Sequence, residues 1–187
     1  LEGLDVSALV DDLVRRVYRN PLVRVYHQAV VEEVTGYVGN FVTRIGSDRG
    51  PTEIRHGAAV IAIGADEYRP TEYLYGADAR VMTHVELGER LAAGDEAVGN
   101  ATSLAMIQCV GCRNEDRNYC ARVCCGQAVK NALWLKERNP GIDVYVLFRD
   151  LRTYGFREDF YREAAERHVR FVRWEPEDGP EVAPVVE

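Results

Sequence analysis

Apolar residues recur at three-and-four spacing near the start of the chain. In DVSALVDDLVRRVYRN, Val6, Leu9, Val10, Leu13, Val14 and Val17 share one side, which predicts an amphipathic helix with Asp5 or Ser7 near its start. Asn20-Pro21 ends it. LVRVYHQAVVEEVTGYVGNFVTRIGS then alternates in the manner of strands, with a hairpin turn expected around Gly36 and Gly39. AAVIAIGA is nearly uniformly apolar and is closed by Gly64, the pattern of a buried parallel strand. The stretch from Asp66 to Asn100 is less regular. It holds the Tyr-rich EYRPTEYLYG, a short helix around THVELGERLA, and GDEAVGNATS, which reads as a linker.

Beyond residue 100 the period changes repeatedly. SLAMIQCV predicts a buried strand, Cys120 to Arg138 a helix stopped by Asn139-Pro140-Gly141, and DVYVLFRD the next strand. REDFYREAAERH reads as a helix and VRFVRW as a strand, and the acidic tail after Glu175 as loose. Strand, helix, strand, helix, strand from Leu104 to Trp174 implies two right-handed crossovers, half of a doubly wound α/β sheet. In such sheets ligands sit beyond the carboxyl ends of the strands. Three segments are expected: 1–100, 101–175 and a tail at 176–187. No internal repeat or low-complexity tract is present.

Composition narrows the classes. Of 187 residues 47% are apolar and 9% aromatic, which is globular rather than disordered. Thirty acidic against 23 basic residues give a net charge of −7, with no reason to expect nucleic acid or an anionic membrane as partner. No apolar run reaches the length of a membrane span, and the N-terminus lacks the order of a signal peptide. The chain opens without Met directly into a helical pattern, so a fragment of a longer protein is expected.

The candidate chemistry lies in the cysteines. All five fall between Cys109 and Cys125, in the loop where a dinucleotide-binding unit would carry its glycine-rich turn. That clustering cannot staple long loops and fits thiols kept reduced for a metal or for redox work. Cys120 and Cys124, at i and i+4 of the predicted helix, would share one face. Cys125 would lie about 100° round it, and Cys109 comes from the strand end. A helix N-terminus offsets the charge of thiolate ligands. Zinc takes four thiolates too, although only one CxxC pair exists, Cys109 with Cys112. A thioredoxin-like redox pair and plain buried thiols complete the alternatives.

MIQCVG and YCARVCC, followed by AVKNALWLKERNP, DVYVLFRD and RTYGFRED, resemble the A subunit of heterodisulfide reductase and related flavin subunits of sulfate-reducer membrane complexes. VEEVTGYVGNF and GADEYRPTEYLYG look like the same family, so the resemblance covers nearly the whole chain. It implies a flavoprotein with an FAD-binding domain of the pyridine nucleotide-disulfide oxidoreductase type, represented in part by residues 1–100. It also implies a Rossmann-like βαβαβ unit over 101–175. An atypical [4Fe-4S] cluster would be held by Cys109, Cys120, Cys124 and Cys125. The family usually has Ser at Cys112, which makes that thiol the non-ligand, though its CxxC spacing leaves an exchange open.

AAVIAIGA resembles a strand ending in Ala-Thr-Gly beside the flavin, which places Ile63, Gly64 and Ala65 at FAD, with Ile63 lacking the hydroxyl. Ala29 and Val30 would correspond to an adenine contact. Plain sheet core is the bland reading of all five. Arg149 and Asp150 stand where a nicotinamide ribose would be read, but no glycine turn seats a pyrophosphate, so NAD is not expected. Arg152 and Tyr154 are read as packing over the cluster, in a mainly structural role. His27, His56, His84 and His168 are each read as surface or edge residues, and no catalytic Ser-His-Asp or carboxylate pair is found. The implied function is the electron-transfer core of a cytoplasmic oxidoreductase of anaerobic metabolism. It would relay electrons between FAD and the cluster to other subunits of a redox complex, the fragment alone being inactive. A homodimer is compatible with this reading. The rival is a zinc-stapled structural module.

Overall fold

The computed structural model describes residues 5–48 and 50–184. The mixed α/β chain has two three-stranded sheets and divides into two compact units, Leu1–Ala65 and Asp66–Glu187. The first four residues of the expected 1–100 segment and the last three of the tail lie outside the described residues.

In the first unit, α1 (Val6–Arg19) is capped by the Asp5 carboxylate, which accepts from the Ala8 N–H at 3.0 Å, and ends at Asn20. Its apolar stripe forms as predicted but is not buried: Leu13 is 45% exposed, and no residue of the helix belongs to a core. The hairpin forms from β1 (Val30–Tyr37) and β2 (Asn40–Gly46), joined at Val38-Gly39. Gly36 is required there, because its φ is +95° and a Cβ would overlap the Asn40 carbonyl. A third antiparallel strand, β3 (Thr52–His56), completes a meander that the sequence pattern did not reveal.

AAVIAIGA departs from expectation. Residues 58–65 form no strand, and Val60 and Ile63 are about nine-tenths exposed (91% and 90%). A buried parallel strand needs a partner to satisfy its backbone and an apolar layer to cover it, and among the described residues this segment has no ladder partner.

The second unit contains the buried apolar core. Its parallel sheet has the order β4 (Ser103–Ile107), β5 (Asp143–Phe148), β6 (Arg170–Arg173). Helix α4 (Cys124–Arg138) connects the first pair and α5 (Arg157–Glu166) the second. Val144 and Val146 of β5 pack with Ala128, Val129, Ala132 and Leu135 of α4. On α4 lies α2 (His84–Ala93), which begins with a capping box between Thr83 and Glu86 and buries Leu87 and Leu91. The expected linker is instead structured: α3 (Glu96–Gly99) is capped by Asp95 and sends Val98 into the core. A 3-10 turn at Pro176–Asp178 opens the tail. Among the described residues no helix is long and apolar enough to cross a membrane.

Candidate metal centre

All five cysteines lie between the end of β4 and the first turn of α4, and all are free thiols. Cys125 is buried and the other four are half-buried. The helix begins at Cys124, not at Cys120, so the shared helix face expected for Cys120 and Cys124 does not exist. Arg122 takes φ +59° between them, a left-handed residue that no helix continues through. Cys120 is therefore a loop residue whose sulfur accepts the Arg122 N–H at 3.4 Å.

The loop is folded tightly. Cys109 itself takes φ +67°, an uncommon conformation for a residue with a Cβ. Two residues on, Gly111 turns at φ +69°, where a Cβ would stand 2.7 Å from Cζ of Tyr68 and nearer still to the adjacent ring carbons. Arg117 lies 4.8 Å over the same ring and donates to the Gly111 carbonyl at 3.4 Å. Tyr68 therefore caps the CVGC turn.

Charge compensation comes from arginines and from the helix end. No side chain caps the N-terminus of α4, and its first turn carries no acidic residue, leaving backbone N–H groups there without a side-chain partner. The Arg113 guanidinium lies beside the Cys109 sulfur, close enough for its positive charge to be felt there, and pairs with Asp150 at 2.7 Å. Arg149 donates to the Arg113 carbonyl at 2.8 Å. The Cys125 thiol lies 3.7 Å from the Asp150 carbonyl. Arg149 and Asp150 thus brace the cysteine loop. The Cys124 thiol donates to the Cys125 sulfur, which with the Arg152 backbone N–H brings Cys125 down to about 6 against its own burial. Giving that bond, together with burial, pushes the Cys124 thiol well up. Burial, then the neighbouring Cys109 and Cys120, raise Cys112. Tyr154, expected over the centre, is 64% exposed.

Among the described residues no three Cys, His, Asp or Glu side chains stand close enough to hold a metal ion. The thiols lie along one loop and the helix turn that follows it, without being closed into a cage. In donor chemistry the set fits a thiolate-ligated cluster: five free thiols, an uncapped helix N-terminus and the Arg113 guanidinium beside Cys109. The residues expected at the flavin lie in the first unit. Ala29 is half-buried before β1, Val30 is 68% exposed, and Ile63, Gly64 and Ala65 lie exposed in the irregular 58–65 segment.

Two residues beside the centre escaped the sequence reading. His84, read as a surface histidine, is held by Gln108 at 2.8 Å, and burial draws its pKa below the usual value. Gln108 is only 1% exposed. The signal available for His84 was Thr83-x-x-Glu86, which sets it at the first helical position rather than in a loop.

No protein-family model matches the chain. Curated relatives do. It is 34% identical over 140 residues to the A subunit of the H2:CoB-CoM heterodisulfide,ferredoxin reductase of Methanothermobacter marburgensis, a match covering 66% of this chain and 21% of that protein. With the iron-sulfur A subunit of the CoB–CoM heterodisulfide reductase of Methanocaldococcus jannaschii it shares 34% over 147 residues, 69% of this chain and 22% of the relative. The A subunit of the ferredoxin:CoB-CoM heterodisulfide reductase of Methanosarcina acetivorans is 32% identical over 165 residues, 66% and 21% respectively. The chain thus spans about a fifth of the length of the curated relatives it matches.

Proposed function

Because the chain belongs with the A subunits of heterodisulfide reductase, we propose that residues 109–125 hold a redox-active [4Fe-4S] cluster in an electron-transfer protein of that kind. One observation carries the reading: five free thiols are gathered beyond the carboxyl end of a parallel strand, at the uncapped start of α4. That is the place where a Rossmann-like βαβαβ unit binds an anionic ligand. The Methanocaldococcus relative is named for iron and sulfur, which agrees with it.

When bound, the cluster supplies one-electron transfer. The chain's own residues hold it and balance its charge. Cys109 enters from the β4 side, Cys120 from the loop, and Cys124 and Cys125 from the first turn of α4. Arg113 and the free N–H groups of α4 offset the thiolate charge, and Tyr68 covers the CVGC turn. Cys112 is the fifth thiol and is left out of the ligand set. In the whole protein, FAD would exchange electrons with this cluster, and other subunits would receive or deliver them.

Anaerobic reconstitution of the chain with iron and sulfide tests the reading. A brown protein with a reduced-cluster EPR signal is expected. A colourless protein with one tightly held zinc after anaerobic purification would favour the structural module instead.

A further inference from the structure

Gln108 connects the end of β4 to Cys109. Its backbone N–H donates to the Leu147 carbonyl of β5 at 2.8 Å, so the strand pairing reaches up to the residue before the first thiol. Its side chain runs into the interior, where the amide nitrogen lies 2.8 Å from Nε2 of His84. Burial lowers the pKa of His84 and so favours the neutral ring, whose unprotonated nitrogen can accept from that amide. His84 opens α2, and its backbone carbonyl accepts from Asn131 Nδ2 of α4 at 3.0 Å. Asn131 is fully buried. One buried point therefore ties α2, α4 and the exit of β4 together.

This arrangement is costly as pure packing. Gln108 Oε1 and Asn131 Oδ1 are buried without a hydrogen-bond partner, whereas apolar side chains of similar shape would leave nothing unsatisfied. The next residue, Cys109, stands at φ +67°, a conformation that persists only where its surroundings over-determine it. We propose that His84 and Gln108 are positioning residues for Cys109: the bond between them fixes the residue before the thiol and so holds the thiol where it serves as a ligand. The ligand role rests on the cluster reading above; the clamp itself does not.

The two ideas separate in one experiment. In the reduced, metal-free chain, iodoacetamide labelling of each cysteine is followed by peptide mass spectrometry for wild type, Gln108→Met, His84→Leu and His84→Gln. Gln108→Met preserves the volume and removes the amide. Labelling of Cys109 is expected to rise about three- to tenfold in Gln108→Met and His84→Leu, the range that losing one hydrogen bond allows. The other four thiols should change less, and His84→Gln should return Cys109 toward the wild-type rate. After reconstitution, Gln108→Met should retain iron but show a shifted midpoint potential and altered EPR g-values. An unchanged Cys109 rate in both disruptive variants overturns the clamp, as does a parallel rise at all five thiols. A wild type that takes up no iron defeats the cluster reading, while the labelling result still decides the clamp.

Discussion

Gly111→Ala is the perturbation that reports most sharply on how the cysteine loop is held. Two costs add. A Cβ at φ +69° is disfavoured by about 1–2 kcal/mol. The same Cβ would stand 2.7 Å from Cζ of Tyr68, so the ring must leave and its contact with Arg117 is lost, worth about 0.5–1 kcal/mol at such a surface. Together they weaken the closed loop by about 1.5–3 kcal/mol, a roughly 10- to 150-fold gain in the open population. The loop can open without the core, so thiol labelling is the proper assay, with thermal unfolding as the check on the core. Cys112 labelling should rise by that factor while the melting transition moves little. Gly126→Ala is the control. Its added Cβ meets only Arg157, at 3.7 Å, and lies inside α4, where Ala is favoured over Gly by about 1 kcal/mol. Cys112 labelling within twofold of wild type in Gly111→Ala would refute the idea that Tyr68 caps the turn.

Other consequences are more local. Thr83→Ala removes the capping box of α2 and should cost about 1 kcal/mol in urea unfolding. His84 has a folded pKa below its unfolded value near 6.5, so the unfolded chain takes up a proton that the folded chain refuses. Stability should therefore fall as the pH drops below about 6.5, and urea titrations of His84→Gln should show a shallower fall. Leu135→Ala, at 1% exposure in the core, should cost about 2–5 kcal/mol, while Leu13→Ala on the exposed stripe of α1 should cost less than about 0.5 kcal/mol by the same unfolding curves.

The second unit was largely legible because its signals are local. Period changes mark β4, α4, β5, α5 and β6, and Asn139-Pro140-Gly141 stops α4 in sequence and structure alike. The misses share another cause. Burial of 58–65 depends on neighbours, which an apolar run cannot specify, and the α1 stripe likewise predicts a helix without predicting what covers it. Val98 reads as linker because Asp95-Glu96 and Gly99 surround it, yet one apolar side chain in a single capped turn is enough to join the core.

In the centre itself, sequence located the thiols but not their geometry. Val123 before the helix offers no capping side chain, so nothing local announces that the helix waits until Cys124 or that Arg122 is left-handed. Partners distant in sequence were equally hidden: Tyr68 over Gly111, Asp150 on Arg113 and His84 on Gln108 join residues that no short motif relates.

The central claim is that four of these five thiols hold a cluster. Its most direct test is the iron and acid-labile sulfide content of the anaerobically reconstituted chain, measured for wild type and for each Cys→Ser variant in turn. Wild type and Cys112→Ser should carry about four irons and four sulfides per chain. Ser at Cys109, Cys120, Cys124 or Cys125 should lower that content sharply, with a matching loss of thermal stability, because cluster binding is coupled to folding. A Cys112→Ser protein without iron beside a Cys120→Ser protein that keeps it would make the CxxC pair the anchor, and fewer than about two irons in the wild type would contradict the account itself.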